Sequence, residues 1–246
     1  MTRTAALAVL SLAIKLSAAD APVKIDYICS AEEIDKFGLP CSPDEPCPVF
    51  LELSSVESTG VRLFVSGNVH TQSATLYGLL LASEDGGKTW TEPAKRIPAS
   101  ALDEIQFFDL ATGWVSGERL ESLPRDPFVL LTTDGGKTWR DRPVFDDSRV
   151  GSISQFWFES KTEGELVVDH PEHGTIRHQV LQSNTGGESW EMKESTTSAV
   201  KLKGKKDEMS WRVRADSASR TFRLERRSGS SWELVASFLI HIADCK

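Results

Sequence analysis

The chain has 246 residues, 39% of them hydrophobic and 26% charged, with a net charge of −8. Its 7 Trp and 11 Phe demand a core, which excludes a disordered tail. The acidic balance argues against nucleic-acid binding, and no apolar run reaches the ~18–20 residues of a membrane helix.

Residues 1–19 have the pattern of a secretory signal. Arg3 supplies the positive start, Ala5 to Ser17 is mostly apolar with Lys15 interrupting it, and Ser17-Ala18-Ala19 precedes Asp20. A buried N-terminal strand or helix is the competing reading. Export would place the protein outside the cytoplasm, secreted or periplasmic. Residues 20–47 form a Cys-containing segment, expected to add a closing strand at residues 22–30. In an oxidising compartment Cys29, Cys41, Cys47 and Cys245 are expected to form disulfides. Of three pairings, Cys41 with Cys47 closes a short two-proline loop and leaves Cys29 for Cys245. No Cys-x2-Cys pair is present, so zinc is not expected.

Residues 48–246 repeat. Ser83-Glu84-Asp85-Gly86-Gly87-Lys88-Thr89-Trp90 recurs as Thr132-Thr133-Asp134-Gly135-Gly136-Lys137-Thr138-Trp139. A degraded copy is Ser183-Asn184-Thr185-Gly186-Gly187-Glu188-Ser189-Trp190, and Ser228-Gly229-Ser230-Ser231-Trp232 reads as a fourth trace. Each of the three full boxes follows an apolar run and reads as strand, tight turn, strand. Asp85 and Asp134 accept from their own turn, Gly87, Gly136 and Gly187 take positive φ, and Thr89, Thr138 or Ser189 closes the turn. Trp90, Trp139 and Trp190 are expected to be buried over the hairpin. A second element precedes each box, fullest at Ile105-Gln106-Phe107-Phe108-Asp109-Leu110-Ala111-Thr112-Gly113-Trp114-Val115-Ser116-Gly117. Ser66-Gly67 and Ser116-Gly117 read as turns at strand ends. About four short strands per 42–51 residues cannot bury their own faces, so the expected fold is all-β, a small β-propeller of four to five four-stranded blades.

These boxes resemble the BNR or Asp-box repeat of the sialidase superfamily. The Ile-x-Phe-x-Asp-x-x-x-Gly-Trp element paired with the Asp-Gly-Gly-Lys-Thr-Trp box resembles the photosystem II assembly factor-like group. The resemblance is strongest at residues 102–143 and weakest after residue 195. It implies a propeller and says little about activity, since the superfamily holds sialidases, receptors and assembly scaffolds.

Sialidase chemistry would need, by that resemblance, three Arg, a Tyr–Glu pair and an Asp. Only Tyr27 and Tyr77 are available, so no catalytic residue, cofactor or metal site is assigned. His170-Pro171-Glu172-His173 with His178 reads as a polar hairpin loop. Residues 200–227 hold ten basic against four acidic residues on a strongly acidic body. Arg212, Arg214 and Arg223 are expected to share a sheet face, either as solvated surface or as a patch for an acidic partner. The expected function is a non-catalytic scaffold that binds another protein in the cell envelope. Glycan binding or sialidase-like activity is the alternative.

Overall fold

The computed structural model describes residues 21–28, 30–39, 48–120, 123–202 and 210–242. The signal-like segment 1–19, all four cysteines and the stretch 203–209 lie outside the described residues. Sixteen strands and one short helix are described, in four four-stranded sheets.

Three sheets are consecutive antiparallel meanders. The first runs β2 (Phe50–Thr59), β3 (Arg62–His70), β4 (Thr75–Ser83) and β5 (Ile97–Pro98). The second runs β6 (Ser100–Phe107), β7 (Gly113–Leu120), β8 (Pro124–Thr132) and β9 (Arg140–Pro143). The third runs β10 (Ser152–Phe158), β11 (Gly164–Glu172), β12 (Thr175–Ser183) and β13 (Glu191–Thr196). The fourth takes β14 (Trp211–Asp216), β15 (Thr221–Ser228) and β16 (Ser231–Ile242) from the end of the chain, and β1 (Val23–Tyr27) from its beginning. This is a four-bladed β-propeller architecture, with two ends of the chain sharing the last blade.

The first strand of three blades carries a bulge, at Leu53/Ser55, Leu102/Ile105 and Ile153/Gln155. Gly67 and Gly117 therefore lie inside β3 and β7, not at strand ends as the sequence suggested. A Cβ on Gly67 would stand 2.9 Å from Leu53 Cα, and one on Gly117 would stand 2.6 Å from Ala101 O. Both glycines allow the inner strand to press close where it bulges.

Apolar cores join the blades in the order four, one, two, three. Leu224, Ala236 and Phe238 of blade four pack with Leu51, Leu63 and Val65 of blade one. Phe64 and Leu80 of blade one meet Ile105 and Leu130 of blade two. Trp114 and Val129 of blade two meet Phe156, Phe158 and Leu166 of blade three. Among the described residues no apolar cluster joins blade three to blade four. The far face of blade three holds instead a small cluster of Val167 and Val180 with Val200 and Leu202 from the following segment.

A helix not expected from the repeat analysis, α1 (Ala31–Phe37), follows β1. Ser30 and Glu33 form a reciprocal capping box, and Gly38 ends the helix in the left-handed region. Ile34 and Phe37 then pack on the core between blades four and one.

β1 runs parallel to β16, with Val23 beside Phe238 and Tyr27 beside Ile242. His241 Nδ1 lies 2.8 Å from Asp26 Oδ1 across this pair. The adjacent parallel strands β1 and β16 end side by side at Tyr27 and Ile242, two residues before Cys29 and three before Cys245 in the sequence. We propose that these two cysteines are bonded, closing a loop worth about 4–5 kcal/mol by the chain-entropy model. Non-reducing peptide mapping should recover a Cys29–Cys245 peptide; a Cys29–Cys41 peptide would rule this pairing out.

Candidate functional site

Three turns of one design connect the third and fourth strands of blades one to three. In the first, Asp85 Oδ1 accepts from the amides of Lys88 at 3.0 Å and Thr89 at 2.9 Å, and Thr89 Oγ1 donates to Asp85 Oδ2 at 2.7 Å. Asp134 repeats these bonds with Lys137 and Thr138. In the third turn Thr185 replaces Asp, and its Oγ1 accepts from Ser189 N at 3.0 Å. Gly87, Gly136 and Gly187 have φ of 93°, 83° and 89°. The residue that opens each box also holds the turn. Ser83, Thr132 and Ser183 are buried, and each hydroxyl accepts from the second glycine's amide at 2.8–2.9 Å. Their recurrence as Ser or Thr at the first box position was the available signal.

The same bonds hold the Asp85 and Asp134 carboxyls at about 2, chiefly through Thr89 and Thr138. Their stabilisation is present above the ordinary Asp value of about 3.9 and is lost as pH falls through about 2.

Trp90, Trp139 and Trp190 are half-buried, which corrects the expectation of full burial. The indoles of Trp90 and Trp139 fold back onto their own turns, donating to Gly87 O and Gly136 O at 3.0 Å. The fully buried tryptophan is Trp114, in the second strand of blade two. It stacks on Phe158 of blade three with centroids 3.7 Å apart, and donates to Gly186 O at 2.8 Å. Ser228–Trp232 is not a fourth box. It turns between β15 and β16, the second and third described strands of its blade, because β1 supplies the strand that a box would have introduced.

Each turn seats on the preceding blade. A Cβ on Gly136 would meet the ring of Phe64 at 2.5 Å, and one on Gly187 would meet Trp114 at 3.5 Å. Arg62 of blade one donates to Gly135 O at 2.7 Å and also to Leu110 O. Gln106 of blade two exchanges two 2.8 Å bonds with the backbone of Phe158. Gly87 of blade one faces Val235 of blade four.

Strand register identifies the matching position on blade three. Leu63, Gly113 and Gly164 each pair with the first residue of their own box, and Phe64, Trp114 and Glu165 follow them. Blade three thus presents Glu165, paired with Lys193 and opposite Trp157, where its neighbours present an aromatic ring. A groove of about 480 Å³ lies on this face, lined among others by Trp157, Glu159, Glu163, Glu165 and Glu194.

The far face of blade four is basic. Arg212, Arg214 and Arg223 share it, with Arg214 directly opposite Arg223 and Arg212 opposite Glu225. Arg212 donates to the buried Glu225 at 2.7 Å and lies 4.1 Å above the Trp232 ring. Arg223 reaches Glu225 at 3.2 Å. Arg214 and Arg227 are exposed, and Leu234 on the same face is 37% exposed. Part of the positive charge is therefore spent within the blade, and Arg214 and Arg227 project the rest.

An acid cluster not predicted from sequence lies between blades one and two. Asp103 of β6 stands beside Glu118 of β7, two residues on from the Ala101 that pairs with Glu118, and lines a groove of about 410 Å³ with Glu52, Asn68 and His70. Burial and Asp103 push the Glu118 carboxyl up to about 8, and burial also raises Asp103. Pairing between β6 and β7 brings these residues together, so no motif announces them.

Tyr27 and Tyr77, the two tyrosines weighed for sialidase chemistry, gather at Glu33. Tyr77 donates its hydroxyl to Glu33. Burial and Glu33 push Tyr27 up to about 12 and raise Tyr77 as well. An activated nucleophile needs the opposite shift. Arg96, the nearby arginine, is occupied with Glu92 and with Asp26 O. The group clamps α1 and β1 to blade one. His170 bonds Val150 O and His178 pairs with Asp169, while His173 sits at the hairpin tip with φ of 48°. Among the described residues no group of His, Cys, Asp and Glu could hold a metal ion.

No protein-family model matches the sequence, and no curated protein matches it. Solved structures are similar in fold. One is described as YCF48 bound to D1 peptide, with a TM-score of 0.42 and 15% identity over 80% of this chain. This chain spans 58% of that structure. An α-L-arabinanase from Penicillium chrysogenum, complexed with arabinobiose, has a TM-score of 0.41 and 13% identity over 76% of this chain and 65% of its own. YCF48 from Cyanidioschyzon merolae has a TM-score of 0.36 and 13% identity over 77% of this chain and 72% of its own.

Two measurements check this account. Trp114→Ala should cost about 3–5 kcal/mol in urea unfolding, while Trp90→Ala and Trp139→Ala should each cost about 1–3 kcal/mol. Equal losses at all three would place the blade junction elsewhere. The raised Glu118 carboxyl stays protonated in the fold while the unfolded chain ionises, so it destabilises progressively from pH ~4 to pH ~8. Glu118→Gln should therefore gain on the wild type across that window, and a pH-independent difference would contradict the burial.

Proposed function

We propose that this protein is an exported, non-catalytic propeller that binds another protein through the faces at the two ends of its blade series. The supporting observation is the outer face of blade four. A sheet face carrying Arg212, Arg214, Arg223 and Arg227 around Trp232 and Leu234 stands without a described apolar partner. Aromatic and arginine side chains together are the usual anchors of a protein interface, and exposed positive charge selects an acidic partner.

Affinity capture from envelope extracts of the native host tests this. Arg214→Glu with Arg227→Glu should remove the captured partner and leave the thermal midpoint within a few degrees, because both side chains are exposed. An unchanged partner set would sink the proposal.

The acid groove supports a second reading, carbohydrate binding or cleavage. Asp103 and Glu118 stand side by side with both carboxyls raised by burial, and Asp103 lines a groove together with Glu52, the kind of paired acids that carbohydrate sites use. Glycan-array binding abolished by Glu118→Gln and Glu52→Gln would favour it over the scaffold.

A further inference from the structure

Blades one, two and three each seat their turn on the blade before them, so the chain's three boxes are all in use. Blade four has no box, and blade three has no box seated on it among the described residues. The matching positions on blade three carry a different pair. Trp157 and Glu165 stand there at the register positions that Gln106 and Trp114 use to hold blade three onto blade two.

The two unfinished faces differ in charge. The blade-three groove gathers Glu159, Glu163, Glu165 and Glu194 against Lys193 and Lys201. The blade-four face gathers Arg212, Arg214, Arg223 and Arg227 against two acids, the buried Glu225 and Asp216, which lies 3.7 Å from Arg223. Each also carries a half-buried tryptophan, Trp157 or Trp232. The faces lie at opposite ends of the series four, one, two, three, and among the described residues no apolar cluster joins them.

We propose that the acidic face of blade three in one copy receives the basic face of blade four in a second copy, and that two copies join head to tail into one eight-bladed ring. This rests on the protein-binding reading above and names the partner of its basic face. A head-to-tail contact either closes or runs on into a filament. Two sets of four blades close within the 4–8 blades that propellers typically adopt. Closure uses both faces of both copies and leaves none to propagate. Opposite charge at every junction also fixes the pairing, because three-to-three or four-to-four contacts would set like charges together.

The test is the mass of the purified mature chain by sedimentation equilibrium. The wild type should have twice the monomer mass at about 50 mM salt and dissociate measurably more at about 500 mM, where surface charge is screened. Glu163→Lys with Glu194→Lys should be monomeric, and so should Arg214→Glu with Arg227→Glu, each with an unchanged circular dichroism spectrum. An equimolar mixture of the two variants should dimerise again, because one junction is wild type and the other has both signs reversed. A monomeric wild type up to ~200 µM, variants that remain dimeric, or a mixture that stays monomeric would each overturn the proposal. Host-extract capture separates this failure from that of the broader reading. A monomer that still captures an acidic protein through Arg214 and Arg227 overturns self-association alone.

Discussion

The structure depends on one contact repeated between neighbours: a side chain in the second strand of one blade lying beneath the turn of the next. Phe64 supports the turn at Gly136, and Trp114 supports the turn at Gly187. A four-stranded sheet of this length buries too little surface to stand alone, so this contact is where the fold is stabilised. The Asp-centred hydrogen bonds shape each turn so that its two glycines approach the neighbour's ring. They are means to that packing, which is why Thr185 can replace Asp in the third turn while the glycine pair is kept. Once Trp114 is buried, its indole N–H needs an acceptor, and Gly186 O provides one.

The chain's ends follow a different logic. Blade four gets its outer strand from β1, and no box introduces that strand. The connection is held instead by backbone pairing to β16, by the Arg96 bonds to Asp26 O and Glu92, and by Tyr77 on Glu33. These polar contacts add to the apolar junction of blades four and one, where Trp90 meets the Phe238 ring edge-on with centroids 4.9 Å apart and Gly87 faces Val235. Arg96 is well placed for the task, since a planar guanidinium with several donors can bind a carbonyl and a carboxylate together.

Much of this was legible because repetition amplifies weak signals. A single Asp-Gly-Gly-Lys-Thr-Trp is a turn; three at nearly constant spacing fix the number of blades they introduce. What was misread follows from treating the tryptophan as the mark of the repeat. Trp232 shares a Ser/Gly-rich approach with the boxes, yet its turn sits one strand earlier in its blade. Half-burial of Trp90 and Trp139 was equally hidden, because the sequence does not show that the indole bonds back to its own turn. Helix α1 carried a readable signal in Ser30, Glu33 and Gly38, in a segment that lies before the repeats and shares none of their pattern. The meeting of Asp103 with Glu118 was not legible, because it depends on the register that pairs Ala101 with Glu118, and a one-residue shift would reverse which face a side chain takes.

Glu165 shows how the repeat is ended. Had blade three carried Phe or Trp there, its outer face would match the seats of blades one and two, and any exposed box turn could settle on it. End repeats of stacked folds escape such growth by presenting a polar outer face. Glu165, held by Lys193, supplies that polarity, and Val200 and Leu202 cover the apolar part of the sheet beyond it. Gln155 fastens this cover with bonds to Val200 O at 2.7 Å and from Leu202 N at 3.2 Å. Blade four is ended with the opposite sign, by arginines drawn over Trp232 and Glu225. A chain that needed only to stay soluble could have used the same sign at both ends and gained repulsion between copies. Opposite signs forgo that repulsion and make the two ends complementary to each other, which is the property expected of faces built to be covered.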